Sequence, residues 1–165
     1  MSNNLRPEDD LGLAGKVAIV TGGGVPDDGI GNGRAAALLL ARSGAKVMVV
    51  DIVSEAAEQT VSMIATEGGI AAPFVADVAN EIQCKGLIDA TIKEFGRLDL
   101  LDNNVGIGGR GTVVDTPVVN GTGSCRSMST ACSLFRGMRS RPWWRRPRVV
   151  RSSMCPRFRH LGRTV

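Results

Sequence analysis

Tyrosine is absent from the sequence, and aromatic residues of any kind make up only 4% of its 165 residues. No phenol is therefore available as a proton donor or acceptor in catalysis. Long apolar runs are also absent. The longest wholly apolar segment, residues 35–41, is far too short to span a bilayer, and residues 1–10 lack the apolar core of a signal peptide. We therefore expect a cytoplasmic protein with no membrane partner.

Cysteine and histidine are too scattered to predict a metal centre. The four cysteines, Cys84, Cys125, Cys132 and Cys155, have no CxxC spacing and no histidine partner, which argues against a zinc site and against a disulfide framework. We expect free thiols and no bound metal. The single histidine, His160, has no neighbour that would orient it as a catalytic base.

Acidic residues are absent after Asp115, and this absence divides the chain into two compositions. Residues 1–119 hold 9 Lys and Arg against 16 Asp and Glu, a net charge of −7, whereas residues 120–165 hold 11 Arg with no lysine and no acid, a net charge of +11. Such an asymmetry ordinarily indicates a basic tail that binds nucleic acid or a membrane. The 43% apolar content is typical of one globular domain.

Apolar runs alternate with helical patterns through residues 1–119. Four runs are typical of buried strands, and they begin at Lys16, Lys46, Ala72 and Leu98. The third is expected to span residues 72–78.

Three helices are predicted between these strands. The first follows a glycine-rich turn and stops at Gly44, and the second has Ser54 as its N-cap and Gly68 as its stop. The third runs from about residue 80 to residue 95. One of its faces is apolar and carries Cys84, Ile88, Ile92 and Phe95.

This alternation predicts an α/β fold of the doubly wound, Rossmann type. Continuously apolar strands indicate a parallel sheet covered on both faces, because right-handed crossovers place helices on each side. We expect about four strands in residues 1–119, followed by a basic tail at residues 120–165.

A glycine-rich loop separates the first strand from the first helix and has the composition of a dinucleotide-binding turn. Thr21, Gly22, Gly29, Gly31 and Gly33 supply backbone that a pyrophosphate can approach without an intervening Cβ, at the start of a helix. A glycine turn with no ligand is the weaker alternative.

Asp51 comes twenty residues after Gly31, at the end of the second strand. A carboxylate there accepts hydrogen bonds from the adenosine ribose, whereas a 2′-phosphate would meet it with only Ile52 and Val53 following. The pattern favours NAD over NADP. A solvated strand end is the alternative interpretation of Asp51.

These residues resemble the short-chain dehydrogenase/reductase family over about residues 11–119. TGGG…GIG resembles the TGxxxGxG loop of that family, and residues 103–106 (NNVG) resemble its NNAG motif. The resemblance implies an oxidoreductase that interconverts small alcohols and ketones with a nicotinamide cofactor, usually as a homo-oligomer. The cofactor-binding residues that it implies are Thr21, Gly22, Gly29, Ile30, Gly31, Asp51 and Ile52 around the loop, Asp77 and Val78 at the adenine ring, and Asn104, Val105 and Gly106 in the last motif.

Two departures from the family pattern stand in the matching part. Six residues, 23–28, separate the first two glycines where the family has three. Asp102 occupies a position where the family usually has an apolar strand residue. A buried unpaired carboxylate is costly or becomes protonated, so we expect a local defect there, with a nearby polar partner as the alternative.

The catalytic residues of the family find no match in this chain. The family continues with an Asn on a helix, a Ser after a strand, and a Tyr and a Lys in YxxxK, but this chain has no tyrosine and no lysine after Lys93. Ser152 and Ser153 lie among arginines rather than at the end of an apolar strand. We therefore predict that the chain has no catalytic residue and is an inactive, truncated form that does not assemble normally. The fourth strand is expected to form an open edge of the sheet.

Residues 120–165 do not continue the family pattern. If plausible codons for this segment are read one base out of register, the displaced frame yields the VNV and NVSS segments that the family would have there. We hypothesise a single-base deletion near Asn120, which would make the arginine-rich sequence a by-product of the reading frame. The tail is then expected to be disordered.

A non-catalytic module that binds a dinucleotide or a polyanion is the second functional hypothesis. The arginines of the tail, with Trp143 and Trp144, have the charge and the rings to contact phosphates and stack on bases. A specific nucleic-acid function has less weight, and Pro142, Pro147 and Pro156 would break an amphipathic membrane helix.

Overall fold

The computed structural model describes residues 12–25 and 29–105. The boundary predicted between residues 119 and 120, the disorder predicted for the tail, and the cofactor-site residue Gly106 lie outside this part of the chain. Strands and helices alternate along it: β1 (Val17–Thr21), α1 (Asn32–Arg42), β2 (Lys46–Asp51), α2 (Ser54–Thr66), β3 (Ile70–Val75), α3 (Glu81–Phe95) and β4 (Leu100–Asn103).

The four strands form one parallel sheet in the order β3-β2-β1-β4. The chain moves outward from β1 to β2 and β3, and then crosses back so that β4 pairs with the other side of β1. The predicted doubly wound fold is therefore confirmed. In such folds ligands bind at the carboxyl ends of the strands where the order reverses, and here that point lies between β1 and β4.

Two apolar layers cover the sheet, because successive side chains of a strand point to opposite faces. In β2, Val47 and Val49 face α1 and α2, whereas Met48 and Val50 face α3. The layer under α1 and α2 also contains Val20, Ala37, Leu38, Ala41, Ala57 and Ile64. The layer under α3 also contains Val17, Ile19, Ala76, Val78, Cys84, Leu87, Ile88, Leu98 and Leu101.

The third helix has the apolar face that its spacing predicted. Cys84 and Ile88 are buried, and Ile92 and Phe95 pack against the same layer. The helix begins after Asn80, whose side chain accepts hydrogen bonds from the backbone N–H groups of residues 82 and 83.

Two local predictions were wrong. β3 spans Ile70–Val75 instead of residues 72–78. It is an edge strand among the described residues, the position at which a strand tolerates a proline such as Pro73. Ser54 is the first residue of α2 and not its N-cap, which is Val53. The Ser54 hydroxyl donates to Glu58 within the helix instead. The stop predicted at Gly68 agrees with the end of α2, and Gly68 has a φ of +81°.

Asp99 joins β1 and β4 at the amino end of the sheet. The backbone N–H of Val17 donates to Asp99 Oδ2 at 3.0 Å, and the N–H of Asp99 donates to the carbonyl of Val17 at 2.9 Å. Asp99 is also ion-paired with Arg97, and Lys16 Nζ lies 3.8 Å from its Oδ1. This arrangement fixes the register that brings the end of β4 beside the end of β1.

Across residues 12–25 and 29–105, none of the helices has both the length and the apolar character that a membrane crossing requires.

Candidate functional site

The carboxyl ends of β1, β2 and β4 bring together three polar side chains that belong to the predicted site or lie beside it. Thr21, Asp51 and Asn103 are the last residues of these strands. Thr21 pairs with Asn103 across the β1–β4 contact and with Val50, the neighbour of Asp51, across the β1–β2 contact. The predicted residues of three separate motifs therefore meet at one end of the sheet.

Thr21 ties the first motif to the last. Its side chain is fully buried, and its hydroxyl accepts a hydrogen bond from the backbone N–H of Asn104 at 3.1 Å. The same hydroxyl lies 3.2 Å from Asn103 Oδ1 and 3.3 Å from the carbonyl of Asp102, and it donates its one proton within this pair. Asn104 is thereby fixed beside the glycine loop.

The turn after β1 is packed directly against the first turn of α1. Gly22 has a φ of +61°, a conformation that favours glycine. Its carbonyl accepts a hydrogen bond from Asn104 Nδ2 at 3.3 Å. A Cβ atom on Gly33 would lie 1.9 Å from that carbonyl oxygen and 2.6 Å from Asn104 Nδ2, so only glycine fits at position 33.

The other glycines of the loop lie in different surroundings. Gly31 is the N-cap of α1, and a Cβ atom there would lie 2.9 Å from Val25. A Cβ atom on Gly29 would meet nothing within 4 Å, and the adjacent Ile30 is 70% exposed. In dinucleotide-binding loops the first glycine makes the turn, the second lets the ligand approach and the third allows close packing of helix on strand. Gly22 makes the turn after β1, and Gly33 allows α1 to pack closely against that turn.

The loop reaches from Gly22 to the N-cap of α1, Gly31, and eight residues, 23–30, separate these two glycines. The first backbone hydrogen bond of α1 runs from Ala35 N to the carbonyl of Gly31 at 2.9 Å. The N–H groups that precede the first intrahelical bond of a helix are the ones that bind anions.

Asp51 lies against the glycine loop, as the sequence predicted. Its Oδ2 accepts a hydrogen bond from Gly24 N at 3.0 Å, and its Oδ1 accepts one from Val53 N at 3.1 Å. The carboxylate is half-buried, and each oxygen retains capacity for a second donor. Ile52, the next residue, is 67% exposed beside it.

Asp77 and Val78 follow β3 and lie next to the end of β2. The backbone N–H of Ala76 donates to the carbonyl of Asp51 at 3.0 Å, which places Asp77 directly beyond that contact. The Asp77 carboxylate accepts a hydrogen bond from Ala79 N at 2.8 Å, and the side chain of Val78 is buried under α3. Asp77 is exposed, so its carboxylate faces solvent at this edge.

Asp102 is half-buried at the position where the sequence departs from the family pattern. It pairs with Val20, a residue of the layer under α1 and α2. Burial raises the pKa of the Asp102 carboxyl above its usual value. Among the described residues, no side chain forms a hydrogen bond with this carboxylate, and the alternative of a nearby polar partner finds no support there.

Arg34 is the residue of the site that the sequence reasoning missed. Its side chain is 0% exposed, and its guanidinium donates to backbone carbonyls of the glycine loop and to two side chains of α2. Its position in the sequence could have indicated this role, because Arg34 is a lone charge in the first turn of a helix that continues as AAALLLA.

The described residues contain no group of three or more His, Cys, Asp or Glu side chains that would hold a metal ion. Cys84, the one cysteine in this part of the chain, is a buried free thiol whose pKa is raised by burial and, to a lesser extent, by Asp77 and Glu81.

Much of the chain is similar to known oxidoreductases. The family model described as short chain dehydrogenase matches residues 16–125. An uncharacterised oxidoreductase from Thermotoga maritima is 39% identical over 106 residues, which cover 64% of this chain and 39% of that protein.

Two solved structures show the same fold. NAD+-bound xylitol dehydrogenase is 29% identical with a TM-score of 0.71, and the match covers 85% of this chain and 53% of that one. The 7α-hydroxysteroid dehydrogenase in complex with NADH and 7-oxo glycochenodeoxycholic acid is 33% identical with a TM-score of 0.67, and the match covers 79% of this chain and 50% of that one.

The chain spans less than half the length of the curated relatives that it matches, and about half the length of the solved structures. The matched region nevertheless exceeds half of this chain, and it contains the glycine loop, Asp51 and the NNV segment described above. The chain belongs to the short-chain dehydrogenase family of oxidoreductases.

Proposed function

We propose that this chain binds NAD(H) through the adenosine and pyrophosphate half of a dinucleotide site. The observation that carries the proposal is the hydrogen bond of 3.0 Å between Gly24 N and Asp51 Oδ2. It holds a carboxylate at the edge of the glycine loop, where the ribose hydroxyls of a dinucleotide need an acceptor.

The residues around the loop fit such a cofactor. The N-cap of α1 is Gly31, so no side chain lies over the first N–H groups of this helix at that position. Gly33 lets α1 approach the turn at Gly22, and Thr21 and Asn104 fix that turn from the β4 side. The pyrophosphate would lie at the start of α1, and the ribose at Asp51.

NAD is favoured over NADP on electrostatic grounds. A 2′-phosphate on the ribose would meet the Asp51 carboxylate, and the two negative charges repel. Arg34 contacts the same loop, but its side chain is 0% exposed and directed at the carbonyls of Val25 and Gly29. The two solved structures named above contain NAD+ and NADH, which supports this preference.

The reaction class follows from family membership, and we place it at the level of alcohol and ketone interconversion. A nicotinamide ring, when bound, accepts or supplies the hydride in this chemistry. The present chain has no tyrosine and no lysine after Lys93, so it lacks the YxxxK pair of the family. We therefore propose that this chain binds the cofactor without turning over substrate.

The same proposal extends to the origin of the arginine-rich residues 120–165. The family model matches as far as residue 125, close to Asn120, where we place the start of the displaced reading frame. The nucleotide sequence around codons 115–125 tests this origin. A related gene that is one base longer there and encodes VNV and NVSS would support it, whereas related genes with the arginine-rich sequence in the same frame would contradict it.

Isothermal titration of NADH into the wild-type protein and into Asp51→Asn tests the binding site. Charge-assisted hydrogen bonds are worth about 1.5–3 kcal/mol, so we expect NADH to bind roughly 10- to 100-fold more weakly to Asp51→Asn. The same substitution should lower the ratio of the Kd for NADPH to the Kd for NADH. Asp89→Asn, at an exposed position of α3, is the matched control and should bind like the wild type. Equal affinity of all three proteins would contradict the site.

A further inference from the structure

Arg34 is a buried cation within the first turn of α1. Burial of a charge is costly unless hydrogen bonds replace the lost water. Arg34 Nη1 lies 2.6 Å from the carbonyl of Gly29, and Nη2 lies 2.9 Å from the carbonyl of Val25. Nη2 also donates to Gln59 Oε1 at 2.7 Å, and Nε donates to Thr60 Oγ1 at 3.1 Å. The guanidinium therefore connects the glycine loop to α2.

Thr60 extends this connection to a third carbonyl of the loop. The residue is fully buried, and its hydroxyl, which accepts from Arg34, lies 2.9 Å from the carbonyl of Gly23 and 3.2 Å from that of Ala56. Gly23 is the nearer acceptor for its proton. Arg34 and Thr60 together thus contact carbonyls at residues 23, 25 and 29, on both sides of residues 26–28.

We propose that Arg34 and Thr60 are positioning residues that hold the described parts of the glycine loop, residues 22–25 and 29–31, in the conformation that binds the dinucleotide. The inference rests on the proposed function, because these residues would increase the affinity of that same site for the dinucleotide. Eight residues separate Gly22 from Gly31, and a loop of this length loses conformational entropy when a ligand orders it. Bonds that fix the loop beforehand reduce this cost and increase affinity.

The geometry argues against direct contact between Arg34 and a phosphate. Its side chain is fully buried, and the four hydrogen bonds described above direct its guanidinium at carbonyls of the loop and at side chains of α2. Arg34 acts through the loop, so its loss should affect NADH and NADPH to the same extent.

Thr60→Val is the primary test, because it removes the hydroxyl and keeps the shape of the side chain. Thr91→Val is the matched control, since Thr91 is also fully buried in a helix and its hydroxyl donates only to the carbonyl of Leu87 at 2.8 Å. Thr60→Ser restores the hydroxyl. We expect the Kd for NADH, by titration calorimetry, to rise about tenfold in Thr60→Val, in line with the loss of one or two buried hydrogen bonds. Thr60→Ser and Thr91→Val should stay within about twofold of the wild type.

Amide hydrogen exchange without ligand provides a second readout. Peptides that cover the glycine loop should exchange faster in Thr60→Val than in the wild type, and at the wild-type rate in Thr91→Val and Thr60→Ser. Arg34→Lys, which keeps the charge but loses the planar fork of donors, should resemble Thr60→Val in both measurements.

The outcomes separate this inference from the proposed function. A wild-type protein that binds no NADH contradicts the proposed function. Unchanged loop exchange in Thr60→Val contradicts the positioning role whether or not NADH binds. Equal losses of affinity in Thr60→Val and Thr91→Val, or a failure of Thr60→Ser to restore binding, would show a general effect on stability and would overturn the inference.

Discussion

The carbonyl oxygen of Gly22 lies so close to Gly33 that a Cβ atom at position 33 would be 1.9 Å from it. This contact brings the start of α1 against the turn after β1, and Asn104 closes the same contact from the β4 side through its bond to the Gly22 carbonyl. The glycine loop, the first helix and the last described strand are therefore assembled around one backbone carbonyl.

Gly33→Ala should destabilise the protein strongly. The added methyl group must displace backbone atoms, and overpacking of this kind costs on the order of 3 kcal/mol. Gly86→Ala is the control, because its Cβ would meet nothing within 4 Å in the interior of α3, where alanine is favoured over glycine by about 1 kcal/mol. Urea denaturation should show a lower free energy of unfolding for Gly33→Ala and a higher one for Gly86→Ala. Equal stability of Gly33→Ala and the wild type would contradict the described packing.

Asp99→Ala should weaken the join between β1 and β4. The substitution removes the acceptor of the Val17 N–H and leaves Lys16 and Arg97 without this carboxylate, and loss of such a partner costs about 1–3 kcal/mol. Asp89→Ala, at an exposed position of α3, should change stability by less than about 0.5 kcal/mol. The comparison is made by thermal and urea denaturation. An Asp99→Ala protein as stable as Asp89→Ala would show that the contacts of Asp99 contribute nothing to the stability of the fold.

The Asp102 carboxyl should make stability fall as pH rises. Its pKa is raised in the folded protein by burial above the ordinary value of 3.8, so between these two values the folded state binds more protons than the unfolded state. Stability therefore decreases as pH increases through this interval. Asp102→Asn removes the titration and should be more stable than the wild type at pH 7, with the difference disappearing below the unfolded-state pKa. Urea denaturation of both proteins across this pH range measures the difference in their free energies of unfolding. A difference that is independent of pH would contradict the raised pKa of Asp102.

On the proposed function, the chain should bind the cofactor without turning over substrate. With no tyrosine in the sequence, the phenol that transfers a proton in the family is missing. Absorbance of NADH, followed with a panel of ketones, should show no consumption above the rate without protein. A rate comparable with that of an intact reductase would contradict this prediction.

The parallel sheet and the position of Asp51 at the end of a strand could be predicted from the sequence because both depend on patterns along the chain. Alternating apolar runs indicate a parallel sheet, and the pairing of β2 with β1 brings the carboxyl end of β2 beside that of β1. The bounds of β3 could not be predicted, because the apolar run continues past Val75 into Ala76 and Val78, which are buried under α3 outside the strand.

The roles of the glycines and of Arg34 depend on distances that no spacing reveals. The family pattern matches Gly29 and Gly31, but Gly33 is the glycine with no room for a Cβ atom. A lone arginine on a helix is ordinarily interpreted as exposed. Arg34 is buried because carbonyls from a distant part of the loop and the side chains of Gln59 and Thr60 surround it.

Titration of NADH and NADPH into the wild-type protein is the most direct measurement of the proposed cofactor site. NADH should bind with one site per chain and at least about tenfold more tightly than NADPH, because Asp51 accepts from a ribose hydroxyl and repels a 2′-phosphate. Absence of heat with NADH from folded protein, or equal affinity for the two dinucleotides, would contradict it.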